Sequence, residues 1–134
     1  MKGMVILGIV VLMAVGMVVA QEAPKMIVEE MKVCTAVTDR EPVGVDSVFF
    51  NQVEQIYCFT KISGAADPVT VEHVWYYGEK EMARVPLEIK AESWRTWSSK
   101  RIVEGWVGDW RVDVVLPDGQ VLASKSFVVK KMEQ

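Results

Sequence analysis

The sequence predicts an all-β fold: an antiparallel, immunoglobulin-like sandwich of two sheets with about seven to eight strands. Three observations carry the prediction. Runs rich in valine, isoleucine, threonine and aromatic residues recur along the chain, separated roughly every 8 to 12 residues by breaks bearing Gly, Pro or Asp. Residues 82–90 alternate strictly, with Ala83, Val85, Leu87 and Ile89 set against Met82, Arg84, Pro86, Glu88 and Lys90. Beyond the first twenty residues, no segment sustains the apolar period of a helix.

The 134 residues hold one domain, residues 31–134, behind two segments that lie outside it. Residues 1–20 read as a signal peptide. Lys2 is the basic start, residues 4–19 are apolar apart from Gly8 and Gly16, and Val18-Val19-Ala20 ends small before Gln21-Glu22-Ala23-Pro24. The apolar run is slightly short of the about 20 residues of a spanning helix. Cleavage after Ala20 releases the domain; the alternative is an uncleaved anchor, which is the only membrane contact the sequence offers. Residues 21–30 form an N-terminal lead.

Residues 31–38 are β-branched enough for a first strand, ended by Arg40-Glu41-Pro42-Val43-Gly44. Residues 52–62 follow, apolar on both faces around positions 56–59, as a central strand requires. After the loop at 63–68, residues 69–77 are rich in β-formers. A hairpin-like turn at 78–81 leads into the alternating strand at 82–90. Pro86 marks that strand as an edge, because proline removes a ladder donor. Residues 94–102 and 110–116 are further strands around a turn containing Gly105 and Gly108. Pro117-Asp118-Gly119-Gln120 is a tight-turn signature, and residues 121–129 pair back as the last strand.

Past residue 20 the chain keeps all 18 acidic residues and loses only Lys2, leaving 14 basic against 18 acidic and a formal charge of −4. A mildly acidic domain without a Lys/Arg cluster lacks the footprint of nucleic-acid binding. The two cysteines, Cys34 and Cys58, support two readings. Export to an oxidising compartment favours a disulfide between neighbouring strands; the alternative is a pair of small buried thiols. Zinc is a poor reading, since there is no Cys-x-x-Cys unit and one histidine cannot complete the set. Asp109, Asp113 and Asp118 form no calcium loop. No metal or cofactor is expected.

All five tryptophans and the single histidine fall between His73 and Trp110. His73 shares a strand face with Val71, Trp75 and Tyr77, so it reads as a structural imidazole paired to backbone or a hydroxyl, with pH sensing as the other role open to it. Alternation puts Trp94, Thr96 and Ser98 on one face and Arg95, Trp97, Ser99 and Arg101 on the other. The Trp97 face either presents a stacked Trp–Arg surface or covers an edge of the core with Arg95 as its cap. Trp106 lies in a turn and is the best candidate for an exposed contact residue. Trp110 alternates with Val112, Val114 and Leu116, as core residues do. No Gly-x-Ser-x-Gly elbow is present.

Several of these phrases together resemble a known family. They are Val37-Thr38-Asp39-Arg40-Glu41-Pro42, Tyr57-Cys58-Phe59-Thr60, His73-x-Trp75-Tyr76, Trp94-Arg95-Thr96-Trp97-Ser98-Ser99-Lys100, Gly108-x-Trp110-x-Val112 and Asp118-Gly119-x-Val121-Leu122, with Phe127 in the last strand. From about residue 33 to residue 129 the chain resembles the bacterial "domain of unknown function 2914" family. The resemblance implies an exported or membrane-tethered β-domain and brings no catalytic residues.

The expected function is a non-catalytic interaction module of the bacterial envelope, periplasmic or extracellular, with a protein partner. The alternative is a carbohydrate or cell-wall binding module that takes a glycan on Trp97, Trp106 and Tyr76. An enzyme would need an acid–base pair such as His73 with a neighbouring carboxylate.

Overall fold

Ten strands make up residues 26–132, the part of the chain that the computed structural model describes; the expected signal segment, residues 1–20, lies outside it. They are β1 (Ile27–Cys34), β2 (Ala36–Thr38), β3 (Glu41–Val43), β4 (Val48–Phe50), β5 (Gln55–Ser63), β6 (Val69–Tyr77), β7 (Lys80–Ile89), β8 (Ser93–Arg101), β9 (Gly108–Val115) and β10 (Val121–Lys130). A three-stranded sheet, β1–β5–β8, faces a five-stranded sheet, β4–β10–β9–β6–β7, and β2–β3 is a separate ribbon. The fold is therefore an all-β sandwich. β5 is the central strand of its sheet, and the Pro86 strand, β7, is an edge.

Three features depart from the sequence reading. The first strand begins at Ile27, inside the expected lead, and pairs along its length with β5. It also stops at Cys34, and residues 36–43 turn back as a tight hairpin. Asp39 and Arg40 form its two-residue loop with φ of 51° and 62°, the left-handed pair that such hairpins need. Lastly, β4 runs parallel to β10, so the sandwich is not antiparallel throughout. Gly44 (φ 73°) lets the chain leave the hairpin; a Cβ there would collide with the Thr35 hydroxyl.

The expected Cys34–Cys58 bridge is not formed, and both thiols are free and buried. Register is the reason. Cys58 lies opposite Val33, while Cys34 lies opposite Tyr57. Opposed residues share a face and successive residues alternate, so the cysteines point to opposite sides of one sheet. Cys58 looks into the sandwich, where burial holds its thiol far above the usual range.

The outer side of the three-stranded sheet carries a small second core. Phe59 lies between the inward Cys58 and Thr60, so it points outward, yet it is fully buried. Trp97 is its direct partner on β8. The β2–β3 hairpin lies over this side of the sheet, against β1 and β5.

Candidate functional site

Between the sheets the apolar core divides in two. One cluster holds Ile56, Cys58, Trp75, Trp110, Val112 and Phe127. The other holds Ile62, Val71, Ile89 and Val114. On β5 the residue between the clusters is Thr60; on β6 it is His73. Thr60, His73 and Ser98 are all buried. They form a polar layer across the sandwich, and it is the strongest concentration of reactive groups in the described residues.

Hydrogen bonds run through this layer in a single direction. The Thr60 hydroxyl donates to the Thr96 carbonyl at 3.1 Å, so its oxygen is left to accept from His73 Nε2, also at 3.1 Å. With its proton on Nε2, His73 accepts at Nδ1 from the Ser98 hydroxyl at 2.6 Å. Ser98 Oγ in turn accepts from the Trp75 indole N–H at 3.1 Å. This tautomer is the one that gives every hydrogen in the chain an acceptor. No buried side-chain nitrogen or oxygen in the described residues lacks a partner. Burial alone pushes the imidazole pKa down to about 4, because the charged form has no water and no anion beside it.

Ser98 against His73 has the outline of a nucleophile and its base. The surroundings oppose that use. Ser98 is 5% exposed and His73 is not exposed at all. The partners that orient His73 are hydroxyls, and Ser98 Oγ already holds an indole proton. A nucleophile needs a substrate within reach and a base that can be protonated during the reaction. Sequence reasoning missed this partnership because it crosses from one sheet to the other. The available signal was the placement of Thr96 and Ser98 on the inward face of β8.

The surface candidates are dispersed. Arg95 and Trp97 lie on the outer side of the three-stranded sheet. Arg95 does not cap the core there; it clasps the hairpin through Glu41 at 2.7 Å. Trp97 is half-buried beside Phe59. Trp106 is half-buried as well. It packs on Trp110 with ring centroids 6.1 Å apart, its carbonyl accepts the Trp110 indole N–H at 3.0 Å, and Lys100 Nζ lies 4.9 Å from its ring. Tyr76 belongs to the outer face of the five-stranded sheet, where the Arg111 guanidinium lies 4.4 Å from its ring. No two of these three surfaces combine into one aromatic platform.

Along one flank, β7 and β8 are the free edges of their respective sheets. A shallow groove of about 320 Å³ follows them, lined by Glu88 and Lys90 from the β7 side and residues 94–97 of β8. Among the described residues no group of His, Cys, Asp and Glu could hold a metal ion, and no helix is long and apolar enough to cross a membrane.

Fold and site thus define a two-sheet β-sandwich domain whose reactive side chains are closed off in its core. The model of the family described as "Protein of unknown function (DUF2914)" matches residues 68–129, and the resemblance to that family stands over this stretch; the phrases at 37–42 and 57–60 lie outside it. The matched stretch covers β6 to β10 apart from one residue at the end of β10, and it includes His73 and all five tryptophans. No curated protein matches the chain. Among solved structures, an endonuclease/exonuclease/phosphatase from Beutenbergia cavernae DSM 12333 is similar at 15% identity and a TM-score of 0.33, over 78% of this chain and 35% of that one. The chain spans about a third of that protein's length, and a likeness this slight carries no argument.

Proposed function

We propose that the protein is a non-catalytic interaction module of the bacterial envelope, exported by its N-terminal segment, and that its β8 edge receives an extended segment of a partner protein. The observation that carries this is the groove along β7 and β8. An open edge offers unpaired backbone donors and acceptors to an incoming strand, and flanking pockets select side chains. Of the two edges, β7 bears Pro86, which removes a donor. β8 is nine residues long without a proline, and its half-buried Trp94 and Trp97 bound the groove. Arg101 at the end of β8 favours an acidic partner segment, since Arg95 is already paired with Glu41. The sealed state of the His73 layer supports the absence of catalysis.

Site-specific photo-cross-linking in envelope preparations tests the proposal. A photoreactive residue at Trp97 is expected to give one discrete adduct, while the same residue at Lys125 on β10 gives none. An equal adduct pattern from both sites, or none from Trp97, would count against β8 as the contact strand.

A further inference from the structure

On the outer face of the five-stranded sheet, away from the β7–β8 flank, lies a depression of about 400 Å³. This is within the roughly 300–1,000 Å³ of small-molecule sites. Its polar lining is Ser47, Asp109, Arg111 and Ser126; Val48 and Val128 supply apolar wall. The sheet brings these residues together by register. Arg111 lies opposite Ser126, Asp109 lies opposite Val128, and Val128 lies opposite Val48 on the parallel strand β4.

Arg111 is held in place before any ligand arrives. Its Nε donates to Asp113 Oδ1 at 2.9 Å. Asp113 is buried and takes a second hydrogen bond from the Ser124 hydroxyl at 2.6 Å. The guanidinium also lies over the Tyr76 ring. Both contacts hold the fork in place. Nη1 and Nη2 take no hydrogen-bond partner among the described residues, and Arg111 is among the residues that line the depression. A guanidinium pre-organised in this way loses little freedom when it grips a planar oxyanion.

We infer that this depression binds a carboxylated sugar. The two Nη groups of Arg111 match a carboxylate in the bidentate geometry that arginine favours. A simple anion is a poorer fit, because Asp109 shares the lining and repels it. Asp109 instead accepts from hydroxyl groups, and Ser47 and Ser126 both give and accept. Sugar ring hydroxyls match that set. Val48 and Val128 suit the C–H face of the ring. Neither Asp109 nor Arg111 neutralises the other, since the ion pair of Arg111 is with Asp113. The inference does not depend on the β8 edge.

The test is titration of the purified protein with methyl galacturonoside, followed by backbone and arginine Nε amide shifts. Saturable shifts are expected at Gly78, Asp109, Arg111 and Ser126. Methyl galactoside, which lacks the charge, should bind at least tenfold more weakly, and so should acetate, which lacks the ring. Arg111→Gln should abolish the shifts. Arg111→Lys keeps the charge without the fork and should weaken binding at least fivefold; it also serves if the glutamine variant fails to fold. Equal response to the neutral sugar or to acetate, tighter binding of N-acetyl-alanine, or undiminished shifts in both variants would overturn the inference.

Discussion

The His73 layer and the Arg111 cluster are made from the same materials: one basic side chain, nearby hydroxyls and an aromatic neighbour. They differ in whether their hydrogen-bonding capacity is used up. In the layer, the chain from the Trp75 indole through Ser98, His73 and Thr60 to the Thr96 carbonyl leaves nothing open. In the cluster, Asp113 and Tyr76 fix the Arg111 guanidinium but leave two of its nitrogens free at the surface. A closed network specifies how two sheets meet; an open, braced one is ready to recognise something.

The largest effect is expected of Ser98→Ala. It orphans both His73 Nδ1 and the Trp75 N–H, and each buried unsatisfied group costs about 1–3 kcal/mol. Denaturant unfolding should show a loss of roughly 2–6 kcal/mol. Replacing Thr60, His73 and Ser98 together with apolar residues of similar volume should cost less than Ser98→Ala alone, since it leaves the Trp75 N–H as the one orphaned side-chain group instead of two.

Acid should act on the layer next. The unfolded chain protonates His73 below its ordinary value of 6.5, and the folded chain only near 4. Between those values the unfolded state holds more protons, so stability rises with pH there. The contribution is complete above 6.5 and is lost as pH falls toward 4, about 3 kcal/mol in all. Its hydrogen-bonding partners are neutral, and its strand neighbours are Val85 and Val114, so no charge offsets the loss. Unfolding curves for the protein and a His73→Gln variant should converge across this window.

The open cluster should respond far less. Asp113→Asn weakens the Arg111 bridge, and with the arginine 41% exposed the loss should stay near or below about 1 kcal/mol. Smaller still is Arg95→Ala. Its partner Glu41 is 58% exposed, and exposed pairs are worth about 0–1 kcal/mol. A thermal melt should move by no more than a few degrees, and a drop as large as that of Ser98→Ala would mean that the hairpin is integral to the core.

Much of the fold was legible. Residues 82–90 announce a half-buried strand by alternation, and Pro86 marks it as an edge. His73 falls on the inward face with Val71 and Trp75 by the same rule. Other features are set by contacts that no local pattern records. The strands β2, β3 and β4 are three residues each, too short to show a period. The parallel β4–β10 pairing joins segments some eighty residues apart. A one-residue offset in register decides that Cys34 and Cys58 face apart. Trp106 sits in a loop, yet the Trp110 indole binds its carbonyl and draws its ring onto the core. Arg111 carries no motif, and its importance comes from Tyr76 on β6 and Ser124 on β10.

Closure of the His73 layer separates structure inside from recognition outside. Imidazole nitrogen shifts followed from pH 8 to pH 4 test it directly. The expected result is a single Nε2–H tautomer that stays neutral until the fold itself gives way. Titration near 6.5 with the fold intact would show that solvent reaches His73, and would return Ser98 and His73 to consideration as a working pair.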